Sequence, residues 1–244
     1  MLIVGLTGGI ASGKSTVSNL LKSPQNHLPL IDLDVLAREV VEPGTSTLNK
    51  IRDTFGNEVI TSQGALDRPA LGKIIFNDEK QRKKLNAIIH PAIRKRLAWL
   101  LFLNWIKGEK IVVVDAPLLI EAGLWKFAGK IVLVYCSDQI QVQRLMARAG
   151  PDSDPADARA RIASQASLSS KLVYADYIID NSGDMAELDR QVRDIVNKLR
   201  RQTNWITWLA CWLIPPFGLV KGAMTIFWRL AVKKVGKGKR GRKT

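Results

Sequence analysis

Leu2-Ile3-Val4-Gly5-Leu6-Thr7-Gly8-Gly9-Ile10-Ala11-Ser12-Gly13-Lys14-Ser15 stands at the start of the chain and decides its fold. Its first residues form a short apolar run suited to a buried strand, and Gly8 to Ser15 fill the pattern G-x-x-x-x-G-K-[ST] completely. Glycines let such a loop curl until successive backbone N–H groups point inward, and a helix opening near Lys14 adds the positive end of its dipole. The product is a cradle for phosphate oxygens. Lys14 is placed to pair with the β- and γ-phosphates of a nucleotide, and the Ser15 hydroxyl to take a coordination position on Mg²⁺. An ordinary glycine turn between strand and helix has no need of all four fixed positions.

Further apolar runs bounded by turn residues follow at Leu28–Ile31, Ile111–Val114, Ile131–Tyr135 and Tyr177–Ile179, alternating with helical patterns. This alternation predicts an α/β fold, a parallel sheet with helices on both faces of the P-loop hydrolase-like type. About seventy residues of mostly helical pattern separate the second and third runs, too long for a simple crossover, so an inserted lobe for the acceptor is expected there, at about 35–108. Arg148–Ser170, with turns at Gly150-Pro151 and Asp154-Pro155, suits a lid within about 144–170.

With 244 residues and 46% hydrophobic composition, the chain can bury one sizeable core. Cys136 and Cys211 have neither disulfide-framework nor metal-ligand spacing, and a reducing, cytoplasmic setting fits them. The net charge of +15 would suggest nucleic acid, but twelve Lys and Arg with no Asp or Glu lie from Lys198 onward, leaving only +3 for the rest. No nucleic-acid role is expected. Met1 to Thr7 is too short for the apolar region of a cleavable signal.

A GTP switch is disfavoured. Asn49-Lys50-Ile51-Arg52 and Asn197-Lys198-Leu199-Arg200 both miss the final Asp of the guanine motif Asn-Lys-x-Asp, and Asp115 is followed by Ala116-Pro117-Leu118 rather than by a switch glycine. A kinase needs a group that receives the acceptor's proton, and Ile31-Asp32-Leu33-Asp34 supplies candidates at the end of the second strand. Strand periodicity puts Asp32 and Asp34 on one side. Asp34 can act as the base or as the N-cap of a helix over Val35–Val41. Arg144 and Arg148, four apart on a helix, share a face and can clamp phosphates or simply be solvated. Asp115, ending a core strand, can hold Mg²⁺ through water or satisfy local backbone groups.

The order of motifs resembles dephospho-coenzyme A kinase over roughly residues 3 to 200. Thr7-Gly8-Gly9-Ile10 and Ser12-Gly13-Lys14-Ser15-Thr16 look like that family's P-loop, and Asp32-Leu33-Asp34, Ala37-Arg38-Glu39 and Val41-Glu42-Pro43-Gly44 look like its acceptor motif. Gly64, Leu66-Asp67-Arg68, Ile75-Phe76, Leu85-Asn86 and His90-Pro91 follow. Then come Pro117-Leu118-Leu119 with Glu121, Gln143-Arg144-Leu145 with Arg148, Arg161 with Gln165, Ala175-Asp176 and Asp180-Asn181.

The resemblance implies ATP and Mg²⁺, with phosphate delivered to the ribose 3′-hydroxyl of dephospho-coenzyme A. It also implies roles. Asp34 would be the base, with Lys14, Arg144 and Arg148 acting on the phosphates; Gly8, Gly9, Ile10, Ala11, Ser12, Gly13, Lys14, Ser15 and Thr16 would bind ATP, with Asn181 near the adenine. Asp32, Arg38, Leu66, Arg68, His90, Pro117 and Glu121 would meet the acceptor, and Ser15 and Asp115 the metal. His90 is weighed equally against a role as a hydrogen-bonded residue of the lobe. Leu33 replaces the family's usual alanine and is expected to point away from the catalytic side, and Ala11 occupies a permissive loop position. A kinase for another small hydroxyl acceptor, or a membrane-bound nucleotide-binding adaptor without turnover, are the alternatives.

The chain therefore divides into a kinase domain, 1–202, and an extension, 203–244, that such a kinase does not need. Residues 202–220 are uncharged and carry Trp205, Trp208, Trp212 and Phe217, interrupted by Pro215-Pro216. Gly222–Trp228 is again apolar, and Lys233–Lys243 is basic. Tryptophans beside a basic run predict contact with a membrane surface, by an interfacial anchor or re-entrant hairpin rather than a span. Packing of this segment on the kinase core is the competing arrangement.

Overall fold

The computed structural model describes residues 1–76, 78–150, 154–203, 208–209, 220 and 222–231. It divides into two compact units, one formed by Met1–Leu30 with Asn104–Thr244 and the other by Ile31–Leu103. The five expected strands all form: β1 (Leu2–Gly8), β2 (Leu30–Asp32), β3 (Ile111–Asp115), β4 (Lys130–Tyr135) and β5 (Tyr177–Asp180), in the order β2-β3-β1-β4-β5. β1 lies parallel to β3, with Leu6 opposite Asp115, and parallel to β4, with Thr7 opposite Leu133; β4 lies parallel to β5. All five residues of β3 are buried, as uninterrupted apolarity requires of a strand covered on both faces.

In the first unit, β1 runs into α1 (Lys14–Lys22), and the last helix of the sheet, α9 (Met185–Gln202), starts where Asp184 caps the Glu187 N–H. Leu188, Val192, Ile195, Val196 and Leu199 recur at helical spacing on α9. They pack with Val17 and Leu21 of α1 and with Val4, Leu6, Val113, Val132 and Ile179 of the sheet. Burial of each such side chain contributes roughly 1.5–3 kcal/mol, so this one layer holds much of the first unit together. Above the other end of the P-loop stand α6 (Asp138–Ala149), α7 (Pro155–Ala163) and the short α8 (Leu168–Leu172). Leu145 and Ala158 bury against Ala11, with Ile10, Val142 and Ile162 alongside.

The second unit is helical. It contains α2 (Leu33–Glu39), α3 (Ser46–Phe55), α4 (Arg68–Phe76) and most of α5 (Glu79–Ile106), around its own core of Val41, Ile51, Phe55, Val59, Leu71 and Leu85. Pro91 sits inside α5, where it removes one backbone donor. The sequence expectation that Asp32 and Asp34 alternate along a strand fails. The strand ends at Asp32, whose carboxylate accepts from the N–H groups of Asp34 and Val35, so the chain turns helical at Leu33.

Part of the extension is described. Its residues 222–231 are helical, and no helix among the described residues is long and apolar enough to cross a membrane. Arg229 donates through Nε to the Ala128 carbonyl (2.7 Å) and through Nη2 to the Gly129 carbonyl (2.9 Å) and Asp176 Oδ2 (2.6 Å). These partners lie at the starts of β4 and β5, the end of the sheet away from the P-loop. Met224, Phe227 and Trp228 remain exposed. Trp208 lies under the Lys110 ammonium, 5.7 Å from the ring centre. Trp205, Trp212, Pro215-Pro216, Phe217 and the basic run Lys233–Lys243 fall outside the described residues.

Candidate active site

The cradle is built where β1 ends and α1 begins. Gly13 takes φ 83°, a left-handed conformation that suits glycine, and offers α1 no side-chain cap. The first N–H groups of the helix, at Lys14 and Ser15, therefore face the loop without a capping oxygen, as an anion-binding helix start requires. A Cβ on Gly13 would stand 1.9 Å from Asn181 Nδ2, so glycine is needed for space as well. Ala11 is also left-handed, at φ 57°, and is buried. The position is thus demanding, not permissive, since an L-residue there costs roughly 1–2 kcal/mol.

Distant residues brace the loop by its backbone. Asn181 Nδ2 donates to the Ser12 carbonyl (2.8 Å), and Arg144 donates to that carbonyl (3.4 Å) and to the Asn181 carbonyl (2.9 Å). Gln141 Nε2 donates to the Ile10 carbonyl (2.7 Å), while Gln165 Oε1 accepts from the Ile10 N–H (3.2 Å). The Ser12 hydroxyl is buried with no hydrogen-bond partner among the described residues. Asn181 thus meets the P-loop backbone in this structure, and the companion of Arg144 in the sequence, Arg148, is exposed one turn further along α6.

Beside the cradle, Lys14 Nζ lies 2.5 Å from Asp115 Oδ1, and the Ser18 hydroxyl donates to Asp115 Oδ2 at 2.6 Å. Asp115 is 1% exposed and has both oxygens engaged, an arrangement that fits a metal held through water better than one held directly. Ser15, in the first turn of α1, is exposed. Among the described residues no group of three or more His, Cys, Asp or Glu side chains could hold a metal alone. A Mg²⁺ carried mainly by phosphates and water needs no such group.

The segment after β3 is tied down beside this site. Thr7 donates its hydroxyl to the Pro117 carbonyl (3.0 Å), and Leu119 is buried against Gly5, where a Cβ would meet it at 2.7 Å. Glu121 pairs with Lys171 at 2.8 Å. Lys171, Gln141 and Ser18 were not singled out from sequence, because each acquires its meaning from a partner fifty or more residues away. Cys136, after β4, is wholly buried, and burial raises its thiol pKa with the nearby Arg144 opposing.

In the second unit, Asp34 stands exposed in the first turn of α2, and Arg38 in its last turn. The helix N-cap is Asp32, which removes capping as a function of Asp34. Leu66 bridges to Ile60 and packs against this unit's core, while Arg68 begins α4 and is exposed. His90 is exposed on α5, so it is not a buried residue of the lobe seeking a partner.

A sequence model of the family described as dephospho-CoA kinase matches residues 2–187. A dephospho-CoA kinase of Geobacillus kaustophilus is 45% identical over 197 residues, covering 81% of this chain and 96% of that protein. One from Saccharomyces cerevisiae is 38% identical over 238 residues, covering 96% of this chain and 97% of its own length. The latter alignment therefore runs into the extension. Among solved structures, the dephospho-CoA kinase of Campylobacter jejuni superposes with a TM-score of 0.64 at 25% identity, over 83% of this chain and 98% of that one. With the phosphate cradle, the parallel sheet and these relatives in agreement, this chain belongs to the dephospho-CoA kinase family.

Proposed function

We infer that this protein transfers the γ-phosphoryl group of ATP to dephospho-CoA, at the ribose 3′-hydroxyl, yielding coenzyme A and ADP. The observation that carries this is the braced P-loop of a chain whose sequence matches the family over residues 2–187. The acceptor O–H gives its proton to the Asp34 carboxylate as its oxygen bonds to the γ-phosphorus, and the bond to the β,γ-bridging oxygen breaks to release ADP. Lys14 and the P-loop N–H groups of residues 8–16 hold the transferring phosphates, with Arg144 and Arg148 adding charge. Asn181, by fixing Ser12, keeps the loop curled under the nucleotide. Mg²⁺, held by Ser15 and through water by Asp115, would neutralise charge on the phosphates.

The domain plan that follows is a kinase domain over 1–202, with an acceptor lobe at about 35–108 and a lid at about 144–170, and an added segment at 203–244. Asp32, Arg38, Leu66, Arg68, His90, Pro117 and Glu121 form the acceptor set. Initial rates with dephospho-CoA and with a panel of nucleotide and sugar alcohols, each with ATP and Mg²⁺, test the assignment. A preference for another acceptor would replace the substrate, and ADP release independent of any acceptor would remove the transferase altogether.

The added segment, in our reading, rests on an anionic membrane surface and keeps the kinase on its cytoplasmic side. Support comes from the helix at 222–231. Its Arg229 is bound to the sheet while Met224, Phe227 and Trp228 are exposed, and a basic run follows in sequence. Tryptophan and aliphatic side chains suit the interfacial region, and each nearby Lys or Arg adds on the order of 1 kcal/mol of attraction to anionic lipid.

A further inference from the structure

Lys171 is the largest wholly buried side chain among the described residues, at 0% exposure, and the phosphate chemistry makes no use of it. An ammonium out of water costs several kcal/mol unless an anion and further acceptors meet it. Here Nζ is 2.8 Å from Glu121 Oε1 and donates to the Pro117 carbonyl at 3.3 Å. Both partners belong to the segment that leaves β3 directly after Asp115, the residue paired with Lys14. Glu121 keeps 27% of its side chain exposed, so one carboxylate oxygen is held from below while the group still reaches solvent.

The strap of chain that carries Lys171, residues 165–174, also touches the donor side. Gln165 bonds the Ile10 N–H, and Leu168 closes over Gly9, where a Cβ would meet it at 3.1 Å. Just beyond Lys171, Tyr174 packs edge-on to Trp125, with ring centres 5.1 Å apart, giving the strap a separate apolar hold on the 116–127 segment. The cradle itself has bonds from Asn181, Arg144, Gln141 and Gln165 that do not involve Lys171. Removing the ammonium would therefore leave both the nucleotide cradle and the apolar contact standing, and would release Glu121 while the Pro117 carbonyl keeps its bond from Thr7.

We propose that Lys171 is a positioning residue for the acceptor: from a fully buried site it orients Glu121 and the Pro117 turn, and so sets acceptor affinity without touching substrate. This rests on the functional reading above. The test is steady-state kinetics of the full chain with ATP, Mg²⁺ and dephospho-CoA for Lys171→Met, Lys171→Arg, Glu121→Gln and the double variant Lys171→Met/Glu121→Gln. Loss of a charge-assisted contact corresponds to roughly a tenfold or larger rise in KM for dephospho-CoA in Lys171→Met. KM for ATP should stay within about threefold of wild type, Lys171→Arg should recover part of the loss, and the double variant should be no worse than Lys171→Met, as expected of residues acting as one unit. Equal rises in both KM values, or a lowered Tm with unchanged acceptor KM, would overturn the proposal. Should Lys171→Met fail to fold, Glu121→Gln decides, because an unchanged acceptor KM in that variant also overturns it. A wild-type chain that turns over no dephospho-CoA overturns the functional reading and this proposal with it, whereas an active wild type with an indifferent Lys171→Met overturns this proposal alone.

Discussion

Lys14 answers to two anions, the Asp115 carboxylate 2.5 Å away and the phosphate that its motif is built to meet. Lys14→Ala should therefore lower turnover by about a hundredfold or more and also take the ammonium away from the buried Asp115, lowering Tm while the sheet core keeps the fold. Near-normal turnover in a folded variant would contradict the assigned role. The two acidic residues at the end of β2 separate by similar reasoning. Because Asp32 is the cap, Asp32→Ala should cost about 0.5–2 kcal/mol in denaturant unfolding. Asp34→Asn should change stability by less than about 0.5 kcal/mol, since it disturbs no cap. It should nonetheless retain ATP binding while transfer falls by about a hundredfold, as expected if it is the base. Unimpaired transfer in Asp34→Asn would take that role away.

At the level of elements, the P-loop is shaped as much by α6 and the residue after β5 as by its own glycines. Gly13→Ala puts a methyl group 1.9 Å from Asn181 Nδ2 and forces an L-residue to φ 83°. Calorimetric ATP affinity should drop by about tenfold or more, from a left-handed backbone cost of roughly 1–2 kcal/mol together with the steric conflict. Adding Asn181→Ala should remove the conflict but also the bond that braces the Ser12 carbonyl, and the backbone cost remains, so the double variant should still bind ATP more weakly than wild type. Wild-type ATP affinity in Asn181→Ala by itself would show that Asn181 does not shape the loop.

For the molecule as a whole, the described helix of the extension is attached at the end of the sheet opposite the cradle, through Arg229 to Ala128, Gly129 and Asp176. A chain ending at Arg201 should keep its turnover, because the P-loop, Asp34, Asp115, Arg144, Lys171 and Asn181 all precede that point. It should lose about 1–3 kcal/mol of stability with the Arg229 contacts, though Asp176 retains Lys130 and the Ile131 N–H. In flotation assays the full chain should rise with anionic liposomes even in high salt, through its apolar face, and the shortened chain should stay behind. If the shortened chain is inactive, or if both forms float alike, the extension belongs to the catalytic fold or does not bind lipid.

The P-loop, the five strands and the family were legible in the sequence because each depends on local spacing: glycines at set intervals, apolar runs of strand length, and motifs in a fixed order. The strand ends moved by only a residue or two, except where Asp32 caps a helix and ends β2 before Asp34, a competition between ladder and cap that periodicity does not settle. What needed the tertiary structure were the pairings across long separations. Gln141 reaches Ile10 across 131 residues, Asn181 reaches Ser12 across 169, and Lys171 reaches Pro117 across 54. A buried ammonium and a surface one are the same letter in a sequence, and only the folded chain, by withdrawing one from water and placing a carboxylate beside it, makes them different residues.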